Sequence, residues 1–444
     1  MKSLKHPMAK SFQDLQLIEP LLLALKKTGY TTPTPIQEQA IPHLLAGRDL
    51  LGCAQTGTGK TAAFSLPILQ NLAASKKKSK PYTPRVLILS PTRELALQIH
   101  ENITTYAVNL HLRSTAIFGG VGQGPQVKQL ASGVDILVAT PGRLMDLLQQ
   151  RYVHLKDVEI FVLDEADRML DMGFIQPIRK IIGLLPYERQ NLFFSATMPK
   201  DIQELSNSIL VHPVKVQVTP VSSTTELVKQ KLFYVEKSNK KDLLRTLLLE
   251  PALKRVIVFT RTKHGANRVS EILEKNRIPS SAIHGNKSQG ARQRALSQFQ
   301  DGEIRVLVAT DIAARGIDVD GITHVINYEI PNVAESYVHR IGRTGRAGSS
   351  GIALSFCDQE EKAFIKDIEK LILLKIPVET DHPYHSTSIE ASFPMSKGKA
   401  KAAIEGNGGG GRRTQQNQRP KKKFWQRDPA HRRKPAKSTD SQQR

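Results

Sequence analysis

Along the chain, short runs of apolar, often β-branched residues alternate with longer stretches whose apolar positions recur every three or four residues. Compact apolar runs bounded by glycine, proline or charge mark strands buried on both faces, and the longer stretches mark amphipathic helices. Strands are predicted at 49–52, 85–89, 135–139, 160–163 and 192–194, and a second series at 255–259, 281–283, 305–309, 324–328 and 352–356. This alternation predicts an α/β chain with two parallel sheets, each carrying helices on both faces. Chemistry is then expected at the carboxyl ends of the strands.

Between the two series, residues 212–228 hold Pro213, Pro220 and the polar run Ser222, Ser223, Thr224 and Thr225, poor material for a core. The expected organisation is a first domain at 12–215, a linker at 216–228 and a second domain at 229–378. Apolar periodicity stops after Pro377, and from Lys397 the chain is mostly lysine, arginine, glycine and glutamine with an isolated Phe424 and Trp425. Residues 379–444 are therefore expected to form a disordered basic tail.

Composition adds a partner. Lysine and arginine number 64 against 41 acidic residues, and a net charge of +23 favours a polyanion such as nucleic acid. About half of that excess, 15 basic against 3 acidic residues, lies between Lys397 and the end. Two cysteines, Cys53 and Cys357, are too few for a zinc site or a disulfide framework and fit a reducing cytoplasm. The opening MKSLKHPMAK does not read as a signal peptide, and no apolar run reaches membrane-spanning length, so a soluble cytoplasmic protein is expected.

The strongest local signal is AQTGTGKT, Ala54 to Thr61, between a predicted strand and the helical-looking TAAFSLPILQNL. Such a loop cradles phosphates: Gly57 and Gly59 let backbone N–H groups approach, Lys60 brings a positive charge, and the Thr61 hydroxyl can ligate Mg2+. Ala54 stands where the usual pattern has glycine. About a hundred residues on, IFVLDEAD ends an apolar strand with Asp164 and Glu165, suited to holding Mg2+ and polarising water respectively.

In these residues the chain resembles the DEAD-box RNA helicases, over about 12–377. The resemblance implies two tandem RecA-like domains of the P-loop NTPase type, and ATP with Mg2+ as cofactors. GYTTPTPIQ is similar to the family's adenine-recognition segment, so Gln37 is expected on the adenine edge, Tyr30 near the base and Phe12 as the upstream aromatic. Ala54, Gln55, Thr56, Gly57, Thr58, Gly59, Lys60 and Thr61 are expected around the phosphates and Asp318 at the ribose, with Thr61 and Asp164 on the metal. RNA contacts are implied for Pro91, Thr92, Arg93, Gly119, Gly120, Thr140, Pro141, Gly142 and Arg143, and in the second half for Arg261, His284, Gly285 and Thr310.

SAT, Ser195 to Thr197, resembles the motif coupling hydrolysis to strand separation. YVHRIGRTGRAG resembles the final motif, in which Arg343 and Arg346 are arginine fingers and His339 couples the domains. A mobile domain would bring such cations to the γ-phosphate only on closure.

The implied function is an ATP-dependent helicase that clamps single-stranded or short duplex RNA without reading sequence. RMLDMGF, FTRTKHGA and AIHGNKSQGAR most resemble the bacterial RhlE-type subgroup, which implies ribosome assembly or RNA decay and a ribonuclease or pre-ribosomal partner. Two alternatives stay open: an ATP-gated RNA clamp or annealing chaperone, and a DNA translocase, against which GYTTPTPIQ and the DEAD spelling argue.

Overall fold

The computed structural model describes residues 11–54, 57–75, 77–218, 228–314, 319, 321–345 and 351–406. Gln55, Thr56, Asp318, Arg346, most of the expected linker and the chain beyond 406 lie outside the described residues. Among the described residues no helix is long and apolar enough to cross a membrane.

The first sheet has β1 (Leu50–Cys53), β2 (Val86–Leu89), β3 (Ser114–Ile117), β4 (Ile136–Ala139), β5 (Ile160–Leu163), β6 (Gln190–Ser195) and β7 (Val214–Gln217). Their order is β3-β4-β2-β5-β6-β1-β7, and every pairing is parallel. Parallel neighbours require crossovers, and helices supply them. On β5, Ile160 and Val162 face one apolar cluster while Phe161 and Leu163 face the other. Helices Pro35–Leu45, Lys60–Ala74 and Arg93–Tyr106 cover the first face with Ile36, Phe64 and Ile99. The opposite face receives Leu144, Ile178 and Leu205 from helices Pro141–Gln149, Ile175–Ile182 and Lys200–Ile209. Each such side chain, fully buried, contributes about 2 kcal/mol.

In the second sheet are β8 (Val228–Tyr234), β9 (Val256–Thr260), β10 (Ser280–Ile283), β11 (Val306–Thr310), β12 (His324–Asn327) and β13 (Gly351–Cys357). The order is β10-β11-β9-β12-β13-β8, again parallel throughout. Both sheets match the predicted α/β class, and ten strands fall where the apolar runs placed them.

Three strands, β3, β7 and β8, lie outside the predicted runs: β3 and β7 are short and mixed, and β8 opens with exposed Lys229 and Lys231 before the buried Leu232, Phe233 and Tyr234. In β7 only Val216 is buried, and the strand lies at the sheet edge against β1, with Leu50 opposite Val214. The first domain's sheet thus continues through Gln217, into the stretch expected to be linker. Pairing with β1 rather than local apolarity makes it a strand.

The expected disorder from 379 is also corrected as far as 406. Residues 377–386 run along the open edge of β8: Leu232 N donates to Pro377 O (2.8 Å), Glu379 N to Leu232 O (2.8 Å) and Ser386 N to Tyr234 O (3.0 Å). Helices Thr387–Ala391 and Lys397–Gly406 follow, and Ile389 and Ala400 are buried in the cluster that includes Phe364 and Ile368. The Lys362 Nζ ties the segment down, donating to the carbonyls of Ile389, Glu390 and Ser392 at 2.6–2.7 Å. Singly spaced apolar residues in a polar stretch give no periodic signal, yet they cover an edge that unpaired backbone groups would leave open.

Candidate nucleotide and nucleic-acid site

The loop after β1 turns into helix Lys60–Ala74 through Gly57 and Gly59, whose φ angles of 85° and 91° suit glycine. A Cβ on Gly59 would come within 2.5 Å of the Gln37 amide. Gln37 donates from Nε2 to Gly59 O (3.1 Å) and accepts from Thr34 N at Oε1 (2.9 Å). This expected adenine-side residue therefore also braces the phosphate loop. Lys60 is buried, and its Nζ donates to Ala54 O at 2.7 Å.

A cavity of about 430 Å3 opens at the carboxyl ends of the strands. Of the expected nucleotide residues, Phe12, Tyr30, Gln37, Gly57, Gly59, Lys60, Thr61, Asp164 and Glu165 line it. Ala54 is buried at the start of the same loop, and Thr58 lies within that loop.

Asp164 directly follows β5 and is 2% exposed. Burial pushes its carboxyl up to about 7, Lys60 pulls the other way, and Glu165 adds to the rise. Among the described residues its Oδ1 has no hydrogen-bond partner. An orphaned buried carboxylate oxygen that shares this cavity with the Thr61 hydroxyl is a hard-oxygen set suited to a small divalent cation. Glu165 adopts φ 57°, ψ 52°, a left-handed conformation that costs a glutamate about 1 kcal/mol or more and aims its carboxylate off the strand end.

Glu165 forms a 2.5 Å ion pair with Arg168, itself 2% exposed. Arg168 in turn faces the second domain, sharing a small cleft with Phe259, Asp311, Ser336, His339, Arg340 and Arg343. The expected coupling histidine and one expected arginine finger are thus brought to the carboxylates through Arg168. Ser195 and Thr197 grip the last residue of the DEAD run: Asp167 Oδ2 accepts from Thr197 N (2.9 Å) and Oγ1 (3.0 Å), and Ser195 Oγ accepts from Asp167 N (3.2 Å).

Sequence reasoning passed over Asp167 and Arg340. Arg340 is 1% exposed, chelates Asp311 at 2.6 and 2.8 Å, donates to Glu329 O (2.6 Å) and lies 5.1 Å over the Phe259 ring. It fixes helix Ala334–Ile341, which presents His339 and leads into Arg343. Its place three residues before Arg343 in HRIGR was the available signal.

A second cavity, about 340 Å3, is lined by Pro91, Thr92, Arg93, Gly119, Thr140, Gly142 and Arg143 from the first domain and by Gly285 from the second. A Cβ on Gly120 would meet the Arg93 guanidinium at 1.9 Å, and the φ of 79° there itself favours glycine. Arg143 is held by Val121 O (3.0 Å) and Gln126 Oε1 (3.2 Å). Pro141 starts helix Pro141–Gln149. Thr310 ends β11 and is buried.

Two expected RNA residues turn inward. Arg261 pairs with the fully buried Glu361 at 2.5 Å. His284 is buried against Asn267 Oδ1 (2.9 Å), and burial, with Lys287 and Arg292 nearby, holds its imidazole below the usual value. Neither reaches the cavity wall in this arrangement.

Across the domain boundary, buried Glu94 forms an ion pair with Arg292 Nη2 (2.9 Å) and accepts from Gln289 Nε2 (3.1 Å). Both partners lie on helix Gln289–Asp301 of the second domain.

Two family models match this chain: DEAD/DEAH box helicase over 34–205 and helicase conserved C-terminal domain over 239–348. DEAD-box ATP-dependent RNA helicase 30 of Arabidopsis thaliana is 43% identical over 365 residues, covering 82% of this chain and 62% of that protein. Helicase 20 of the same plant is 42% identical over 366 residues, covering 82% and 73%. The structure of S. cerevisiae Dbp5 bound to RNA and ADP BeF3 superimposes with a TM-score of 0.73 at 30% identity, covering 84% of this chain and 96% of that one.

Proposed function

Because the chain belongs to the DEAD-box ATP-dependent RNA helicases, we propose that it binds ATP and RNA together between its two domains and couples hydrolysis to local separation of short duplexes. The observation that carries this reading is one chain of contacts: phosphate loop, Asp164 and Glu165 share a cavity, and Glu165 reaches His339 and Arg343 of the other domain through Arg168.

ATP enters with its phosphates on the loop from Gly57 to Thr61 and its base towards Phe12, Tyr30 and Gln37. Asp164 and Thr61 would hold Mg2+, which would supply positive charge against the phosphates. Glu165 orients and deprotonates the attacking water, and Arg343, with Arg346, meets the charge that develops on the transferred phosphoryl group. RNA lies along the cavity of Arg93, Gly119, Thr140 and Arg143, bound by its backbone and without sequence preference.

The finer assignment follows RMLDMGF and AIHGNKSQGAR, which support a bacterial RhlE-type helicase acting in the cytoplasm on ribosome assembly or RNA decay. The test is ATP hydrolysis with and without single-stranded RNA, in the parent and in Glu165→Gln. RNA should stimulate the parent, and the variant should lose about 100-fold or more in kcat while still binding ATP. Hydrolysis indifferent to RNA, or surviving in the variant, overturns the proposal.

A further inference from the structure

One wall of the nucleotide cavity belongs to none of the motifs above. Leu95, Gln98, Asn102 and Tyr106 line it, at i, i+3, i+7 and i+11 on helix Arg93–Tyr106, and so form one face of that helix. The face is fixed at its end by Tyr106, buried 6.3 Å from the Tyr30 ring at a 52° tilt. At its start, Glu94 is gripped by Arg292 and Gln289. Asn102 is half-buried on this wall, and among the described residues its carboxamide takes no hydrogen bond.

A carboxamide presents a donor and an acceptor side by side, the pattern complementary to the N6 donor and N7 acceptor of adenine; guanine offers two acceptors there. Gln37 has the same chemistry, but its oxygen already accepts from Thr34 and its nitrogen already donates to Gly59. We propose that Asn102 is a further specificity-determining residue of the nucleotide site, reading the adenine edge. This rests on the assignment of the cavity to ATP. Held between Tyr106 and the Glu94 contact, Asn102 keeps its place through the turns of a rigid helix, so base recognition and domain contact share one element.

The experiment is equilibrium binding of adenylyl and guanylyl imidodiphosphate, with Mg2+, to the full chain and to Asn102→Ala, with Glu101→Ala on the exposed side of the same helix as control. The expected result is about tenfold weaker adenine-analogue binding in Asn102→Ala and less than twofold change for the guanine analogue, with the control unchanged. Equal weakening of both analogues, or none, overturns the assignment. A parent that binds neither analogue overturns it together with the functional reading. Failure of RNA to stimulate hydrolysis, with adenine preference intact and lost in Asn102→Ala, sinks the helicase proposal alone.

Discussion

Asp164 carries a negative charge that its surroundings resist, and that resistance makes a pH dependence. Its carboxyl is pushed up from 3.8 to about 7, so between those values the folded protein holds a proton the unfolded chain would release. The sign follows: this group favours folding at acid pH, and that contribution is lost as pH rises through 7. Cation binding runs the other way, because only the carboxylate binds and the proton must leave. Affinity for Mg2+ with nucleotide should rise by about fivefold between pH 6 and 7, reach about tenfold by pH 8 and level off above that. Titrations of a fluorescent nucleotide at fixed Mg2+ would show it, and Asp164→Asn should flatten the curve. A flat parent curve would mean that Asp164 is not the titrating ligand.

At this scale the residues legible in the sequence are those whose chemistry depends on close neighbours along the chain. Lys60, Thr61, Asp164 and Glu165 sit in contiguous motifs at strand ends, and they share one cavity. Arg340 was not legible because its partners, Asp311, Asn327 and Glu329, lie 11 to 29 residues upstream. Arg261 misled for the same reason: Glu361, a hundred residues away, draws its guanidinium inward.

Elements divide along a similar line. Central strands such as β2, β4, β5 and β9 are buried on both faces and announce themselves as apolar runs. Edge strand β7 alternates with exposed Lys215 and Gln217, and β8 begins with exposed Lys229 and Lys231, so their identity comes largely from the neighbour they pair with. The segment 377–406 depends on β8 in turn. Cutting the chain after residue 376 should expose both that edge and the apolar cluster around Ile368, and the product should aggregate. Cutting after 406 should leave a protein that elutes as the full chain does. Light scattering coupled to size exclusion distinguishes the two, and a monomeric 376 product would show that the segment is dispensable.

For the whole molecule, the contact of Glu94 with Arg292 and Gln289 joins two domains that are each complete in their own cores. Removing one partner of a buried ion pair costs about 3–5 kcal/mol. Here the loss should fall on domain association and leave each domain's folding intact. Arg292→Met is expected to reduce RNA-stimulated hydrolysis at least tenfold with a melting temperature within about 2 °C of the parent. A large drop in melting temperature would instead make the pair a folding contact. No local pattern could have revealed it, since Glu94 and Gln289 are 195 positions apart.

The uniform strand direction of both sheets also gives the molecule an idle pole. The phosphate loop, Asp164 and Glu165 follow strand carboxyl ends, while exposed Lys156 and Lys254 lie near the amino ends of β5 and β9. Burial raises the thiol of Cys53, with Asp167 adding to the rise, and raises that of Cys357 further, so both native cysteines react slowly at neutral pH. Cysteines introduced at 156 and 254 should therefore accept a donor and an acceptor dye selectively. Such a pair, remote from every catalytic group, would turn the approach of the two domains into a distance followed one molecule at a time.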